Sequence, residues 1–187
     1  MNLDWYPPAP VEGPAAMLEL APDDWACEAK MDGCRVIIAR PYINRPIVVW
    51  TRQGTPLSKG KGLVRLEDLF TARCIALWDR ARFLEGEWVN REGVLYLFDL
   101  PDHPGTYDER HFALFKIVQA IAQPGICLIP RAESGFQAFY EAMRGQAEGV
   151  VMKRRASLYV KCNRPNTASR DWIKRRYSWD QERTVRP

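Results

Sequence analysis

The sequence predicts an α+β domain of mainly antiparallel sheets flanked by helices. Short apolar runs come in pairs joined by turn signals, as antiparallel hairpins do. Helix-spaced segments fall between those pairs instead of following every strand, which argues against repeated βαβ units. Hydrophobic residues make up 47% of the 187 and charged residues 27%, enough for a packed core and incompatible with a disordered chain.

The elements follow in order. Residues 1–22, MNLDWYPPAPVEGPAAMLELAP, hold five prolines and read as an extended lead-in. WACEAK and CRVIIAR flank Met31-Asp32-Gly33, a hairpin signal built on Asp-Gly that would return Arg35 beside Lys30. PIVVWTR is a further strand. Residues 63–78 carry Leu63, Leu66, Leu69, Phe70 and Ile75 at helical spacing. FLEGEWV and GVLYLFDL, joined by Asn90-Arg91-Glu92-Gly93, form a second hairpin. A helix is predicted over 109–123, and another from an N-cap at Ser134 to Met143, ended by Gly145. The strands EGVVMKRR and RDWIKRRY come last, separated by CNRPNTAS. No Gly/Ser-rich linker interrupts residues 23–177, which read as one domain, with 178–187 as a short tail.

Composition narrows the function. No stretch reaches the roughly 18 apolar residues of a membrane span, so no membrane partner is expected. Five cysteines, odd in number and without a CxxC pair, argue against a zinc site or a disulfide framework and point to a reducing, cytoplasmic setting. The net charge of +4 hides an asymmetry. Residues 150–187 hold eleven Lys or Arg against three Asp or Glu, a local +8, leaving 16 basic and 20 acidic residues in the first 149. Such a basic end suits an anionic partner, nucleic acid or nucleotide phosphate, or forms a solvated face.

Several segments carry chemistry. In a strand, Glu28 and Lys30 share a face while Cys27 and Ala29 can turn to the core. Period two likewise joins Glu85 and Glu87, an acidic pair in an apolar strand that must meet water, a cation or a ligand. Tyr96 and Phe98 alternate in YLFDL as core aromatics would. Glu148 opens a hydrophobic strand that Lys153 closes, and Trp172, Lys174 and Arg176 share a face of the last strand. Glu148 and Lys153 are an odd step apart, so joint contact with one ligand needs a bulge, or Glu148 in the preceding turn.

The ordered set KMDGCR, TRQG, LEGEWV, YLFDLP, EGVVMK and WIKRRY resembles the nucleotidyltransferase motifs of ATP-dependent DNA ligases, RNA ligases and mRNA capping enzymes. Lys30, Asp32, Gly33 and Arg35 match every fixed position of the Lys-x-Asp-Gly-x-Arg signature. The six motifs span about four-fifths of the chain, and SRDWIKRRY looks more like the DNA-ligase branch. The resemblance implies a nucleotidyltransferase (ATP-grasp-like) domain in which Lys30 forms a covalent bond to AMP. It further implies that Asp32 orients Lys30 or its metal-bound partners, that Arg35 and Arg52 hold ribose or phosphate, and that Glu28 or its backbone lines the adenine edge. Phe98 would stack on adenine, Lys153, Lys174 and Arg176 would meet the phosphates, and Glu87 and Glu148 would be the carboxylates for Mg²⁺ or Mn²⁺ and for ribose. A free lysine with pKa near ~10.4 is a poor nucleophile, so nearby cations would favour its neutral amine.

Arg176 stands where the family has a second lysine, keeping the charge without the compact ammonium. Ten residues follow Tyr177, so the OB domain that usually comes next is expected to be missing, its role passing to a partner protein or the basic tail. The expected activity is that of a monomeric, minimal ATP-dependent DNA ligase sealing nicked duplex DNA. An RNA ligase or RNA-end adenylyltransferase shares the lysine–AMP step, and a non-catalytic nucleic-acid end-binding module is the alternative of another class.

Overall fold

The computed structural model describes residues 3–39, 47–57, 66, 69–70 and 83–178. Among these, ten strands form two five-stranded sheets accompanied by two α-helices and a 3-10 helix. The strands are β1 (Ala9–Glu12), β2 (Trp25–Lys30), β3 (Cys34–Ala39), β4 (Val48–Thr51), β5 (Phe83–Val89), β6 (Val94–Asp99), β7 (Ile126–Leu128), β8 (Arg131–Ala132), β9 (Gly149–Arg154) and β10 (Ala168–Arg176). The helices are α1 (Tyr107–Ile121) and α2 (Phe136–Ala142), and the 3-10 helix is Ala15–Glu19. Pairing is antiparallel except for β1 with β10 and β6 with β7, as the sequence pattern anticipates.

The chain divides into two compact units that interleave along the sequence. One unit comprises Met1–Pro8, Gly33–Leu128 and Leu158–Thr167; the other comprises Ala9–Asp32, Ile129–Ser157 and Ala168–Pro187. The first holds the sheet ordered β4-β3-β5-β6-β7, and the second the sheet ordered β1-β10-β9-β2-β8.

The Asp-Gly step is therefore not a hairpin. A strand has two hydrogen-bonding edges, and β2 spends its edges on β8 and β9 while β3 spends its own on β4 and β5. Gly33 is the passage from one unit to the other. A Cβ there would lie 2.5 Å from the Trp88 carbonyl oxygen, a backbone atom with little freedom to move.

In the first unit the face of β3 and β5 carrying Val36, Ile38, Leu84 and Trp88 packs with Leu97, Leu114 and Ile121. Its opposite face carries Ile37, Ala39 and Phe83 with Leu3 and Trp5. Helix α1 begins two residues before the expected start. The Thr106 side chain accepts from the Glu109 amide and Glu109 reaches back to the Thr106 N–H, a capping box that sets the boundary. Leu114 and Ile121 are its buried apolar residues, whereas Phe112 and Phe115 stand in solvent.

In the second unit Cys27, Val150 and Met152 pack with Phe136, Tyr140 and Tyr177. The lead-in is not a bare extended segment. Residues 9–12 pair with β10 as an edge strand, where Pro10 is tolerated, and Met17 and Leu18 of the 3-10 helix enter the core. Helix α2 takes Gly135, at φ 64°, as its N-cap instead of Ser134, with no side-chain cap bond. The helix expected over 63–78 and the tail 178–187 lie outside the described residues, apart from Leu66, Leu69, Phe70 and Ser178. No helix among the described residues is long and apolar enough to cross a membrane.

Candidate nucleotide site

In the second unit, strand register collects the expected residues on one sheet face. Along β2 and β9, Lys30 pairs with Gly149, Glu28 with Val151 and Ala26 with Lys153. Along β9 and β10, Lys153 pairs with Trp172, Val151 with Lys174 and Gly149 with Arg176. Directly opposed residues share a face, so Lys30, Glu28, Lys153, Trp172, Lys174 and Arg176 lie on the side opposite Cys27, Met152 and Val150. Alternation within each strand was legible in the sequence; the register that aligns three strands was not.

Two ion pairs divide this face. Lys153 Nζ lies 2.8 Å from Glu28 Oε2, with both side chains almost fully buried (2% and 3% exposed), and sits 4.3 Å from the Trp172 ring centroid. Glu28 and Lys153, expected at the adenine edge and the phosphates, thus answer each other's charge. Lys30 pairs with Glu148, and both side chains keep contact with solvent (20% and 29% exposed). The Glu148 amide donates to the Lys30 carbonyl at 2.8 Å, and its own carbonyl accepts from the Tyr177 amide. Glu148 therefore sits in the turn before β9, the placement its odd spacing from Lys153 required.

Arg176 Nε lies 3.7 Å from the other Glu148 oxygen and its Nη1 4.0 Å from Glu12, which also meets Lys174 Nζ at 3.6 Å. Gly149 closes the turn: a Cβ there would meet the Arg175 carbonyl oxygen at 2.0 Å. Asp32 is exposed just beyond β2. Of the basic end, Arg175 is buried, and Arg155 donates to the Pro22, Trp25 and Glu133 carbonyls, while Arg154 and Arg170 are exposed.

The first unit holds the remaining residues. Arg35 does not return beside Lys30; it opposes Glu87 across the β3–β5 ladder. Its Nε and Nη2 lie 2.8 and 2.7 Å from Oε1 of the fully buried Glu85, its Nη1 donates to the Pro8 carbonyl at 2.8 Å, and its guanidinium lies 5.5 Å from the Phe98 ring centroid. The cation that the buried half of the acidic pair needs is thus supplied by the protein. Burial works against the charge on Arg35, yet the Glu85 carboxylate beside it holds the guanidinium above its ordinary value.

A register shift between Glu85 and Gly86 leaves Glu85 opposite Asp99, two like charges that Arg35 and Arg110 neutralise. Phe98 is buried at this bulge. Tyr96 departs from a core role: it is half-buried and donates to Glu92 at 3.3 Å. Glu87 is half-buried and Arg52 is exposed in the turn after β4. The sequence reading missed Tyr159, whose hydroxyl donates to Glu85 Oε2 at 2.8 Å, and Glu12. Tyr159 had a usable signal, an aromatic hydroxyl between two apolar residues in an otherwise polar stretch.

No group of three or more His, Cys, Asp or Glu is gathered among the described residues in a metal-holding arrangement. A magnesium ion asks for less, taking one or two carboxylates and filling its shell with water and phosphate oxygens. The solvent-reaching carboxylate of Glu148 and the half-buried Glu87 suit that role.

No family model and no curated protein matches the sequence. Solved structures do match. A mycobacterial DNA ligase D complexed with ATP and MES aligns with TM-score 0.71 at 20% identity over 95% of this chain. The chain spans 62% of that protein's length. A Chlorella virus DNA ligase-adenylate aligns with TM-score 0.58 at 13% identity over 91% of this chain and 68% of that one. An archaeal ATP-dependent RNA ligase aligns with TM-score 0.58 at 18% identity over 98% of this chain and 50% of that one. With the sheet orders and helices described above, these alignments establish that the chain has the α+β fold of the nucleotidyltransferase domain found in ATP-dependent DNA ligases.

Proposed function

We propose that this protein is an ATP-dependent polynucleotide ligase whose Lys30 carries AMP, acting on nicked duplex DNA. The observation that carries the reading is the sheet face in which register alone brings Lys30, Lys174 and Arg176 together, with Glu148 tied to Lys30 from 118 residues away. A lysine at a strand end, one-fifth exposed to solvent and fixed through its carbonyl, is built to present one nitrogen. Cations on adjoining strands suit a triphosphate, whose transfer chemistry depends chiefly on charge stabilisation.

In the first step the neutral Lys30 amine attacks the α-phosphorus of ATP. A phosphorus–nitrogen bond forms, the bond to the β-phosphate bridging oxygen breaks, its electron pair leaves with pyrophosphate, and the amine proton passes to solvent. A 5′-phosphate oxygen then displaces Lys30 from the phosphorus, and a 3′-hydroxyl displaces AMP to close the strand. Lys30 is paired with Glu148, so separation of that pair precedes attack. Lys174 and Arg176 bind phosphate oxygens, and Arg35, Arg52 and Phe98 keep the ribose, phosphate and adenine roles that the motif resemblance implies. Magnesium, bound through Glu87 or Glu148, would supply further charge neutralisation on the phosphates.

Incubation with ATP and Mg²⁺ tests the first step. The expected product is heavier by one AMP, and Lys30→Ala abolishes the gain; an adduct that survives the substitution refutes the assignment. A chase with nicked duplexes of all-DNA, mixed and all-RNA strands then assigns the substrate. The structural likeness to an archaeal RNA ligase keeps sealing of RNA as the second reading. Exposed Arg154, Arg164 and Arg170 are the phosphate contacts expected for the nucleic acid, whose binding then weakens steeply with salt.

A further inference from the structure

The segment 158–167 of the first unit buries the wrong residues for a purely apolar anchor. Leu158 and Val160 are 61% and 55% exposed, while Tyr159 between them turns inward against the cluster of Trp5, Ile37 and Phe83. Leaving two aliphatic side chains in water to bring a phenol inside makes sense when the hydroxyl has a task. Its partner is Glu85, fully buried, at 2.8 Å. The two Glu85 oxygens are shared out: Oε2 accepts from Tyr159 and Oε1 receives Arg35. On the other side, the Arg110 guanidinium lies 5.6 Å from the Tyr159 ring centroid and is itself bound to Asp99. Burial and the Glu85 carboxylate hold the phenol well above its ordinary value, so it remains a donor throughout the physiological range.

We propose that Tyr159 is a positioning residue for nucleotide binding, acting through Glu85 to fix the orientation of Arg35. This rests on the reading of Arg35 as a phosphate or ribose ligand given above. A carboxylate with one oxygen held by a phenol rotates less about its terminal torsion, and the guanidinium it grips inherits that restriction. Arg35 then meets the nucleotide with its geometry already set, and less conformational freedom is lost on binding.

The test measures affinity for α,β-methylene-ATP by titration calorimetry on the intact chain, with the melting temperature of each variant recorded. The expected results are a roughly tenfold or greater loss for Arg35→Ala and a loss of about threefold to tenfold for Tyr159→Phe, which removes only the hydroxyl. In the double variant, Tyr159→Phe adds nothing to the Arg35→Ala loss, because the two act on one contact. Glu85→Gln, which keeps the shape of the relay, weakens binding in the same way and serves if Tyr159→Phe lowers the yield of folded protein. Affinity unchanged by Tyr159→Phe and Glu85→Gln, or lowered equally with and without Arg35, overturns the proposal. An Arg35→Ala variant that binds like the parent overturns instead the role given to Arg35, and with it the relay.

Discussion

Replacing Glu28 by glutamine keeps the side chain's size and removes its charge, taking the carboxylate 2.8 Å away from a Lys153 side chain that is only 2% exposed. Breaking one partner of a buried pair costs about 3–5 kcal/mol, because the remaining charge stays desolvated. The Trp172 ring, 4.3 Å from Lys153 Nζ, offsets part of this by about 1 kcal/mol through its negative face. The net expectation is a loss of about 2–4 kcal/mol. For a chain of this length each kcal/mol lowers the melting temperature by about 2–4 °C, so Glu28→Gln should melt roughly 4–16 °C below the parent. Differential scanning calorimetry at neutral pH measures it. The double variant Glu28→Leu/Lys153→Met removes both charges and should lie within about 1 kcal/mol of the parent in stability. It should still bind ATP poorly if Lys153 meets the phosphates, separating stability from function. A double variant as unstable as the sum of its singles would refute the coupling inferred from the 2.8 Å pair.

Three further outcomes are expected. Gly33→Ala places a Cβ 2.5 Å from the Trp88 carbonyl oxygen and should cost about 1–3 kcal/mol, read in urea denaturation, with Gly149→Ala at least as damaging given its 2.0 Å approach to Arg175. Burial first and the Glu87 carboxylate second raise the Cys34 thiol, so despite its exposed position iodoacetamide should modify it more slowly at pH 8 than a free thiol, gaining speed only at more alkaline pH. The Glu109 carboxyl is held below its ordinary value by the Thr106 N–H and hydroxyl, so the capping box contributes stability above the ordinary carboxylate range and loses it as pH falls through the lowered value. Lower amide protection at Thr106 and Glu109 in acid, after correction for the intrinsic exchange rate, and its absence in Glu109→Gln would confirm that sign.

Much of the fold is legible because its strands alternate. WACEAK, FLEGEWV and YLFDL declare which residues share a face, and Asn90-Arg91-Glu92-Gly93 marks the one hairpin turn among the early strands that the structure keeps. The capping box was present in the sequence as Thr106 and Glu109 but lay two residues upstream of the apolar pattern that drew the helix. Two losses have a common cause. The Asp-Gly hairpin and the pairing of Arg35 with Lys30 both assume that strands adjacent in sequence pair with each other, and backbone edges carry no residue code to say otherwise.

Taken alone, the sequence determines the α+β class, the six motifs in order and the lysine on which the proposed chemistry rests. Local periodicity and turn chemistry depend only on neighbours along the chain, so they survive without coordinates. Only the tertiary structure decides which strands share an edge, and so which charges meet. It sets Lys30 with Glu148, buries Glu28 on Lys153, and ties Arg35 to Glu85 and Tyr159 in a separate unit. Charge and burial are properties of the partner as much as of the residue, and a partner 118 or 125 positions away becomes visible only once the sheets have formed.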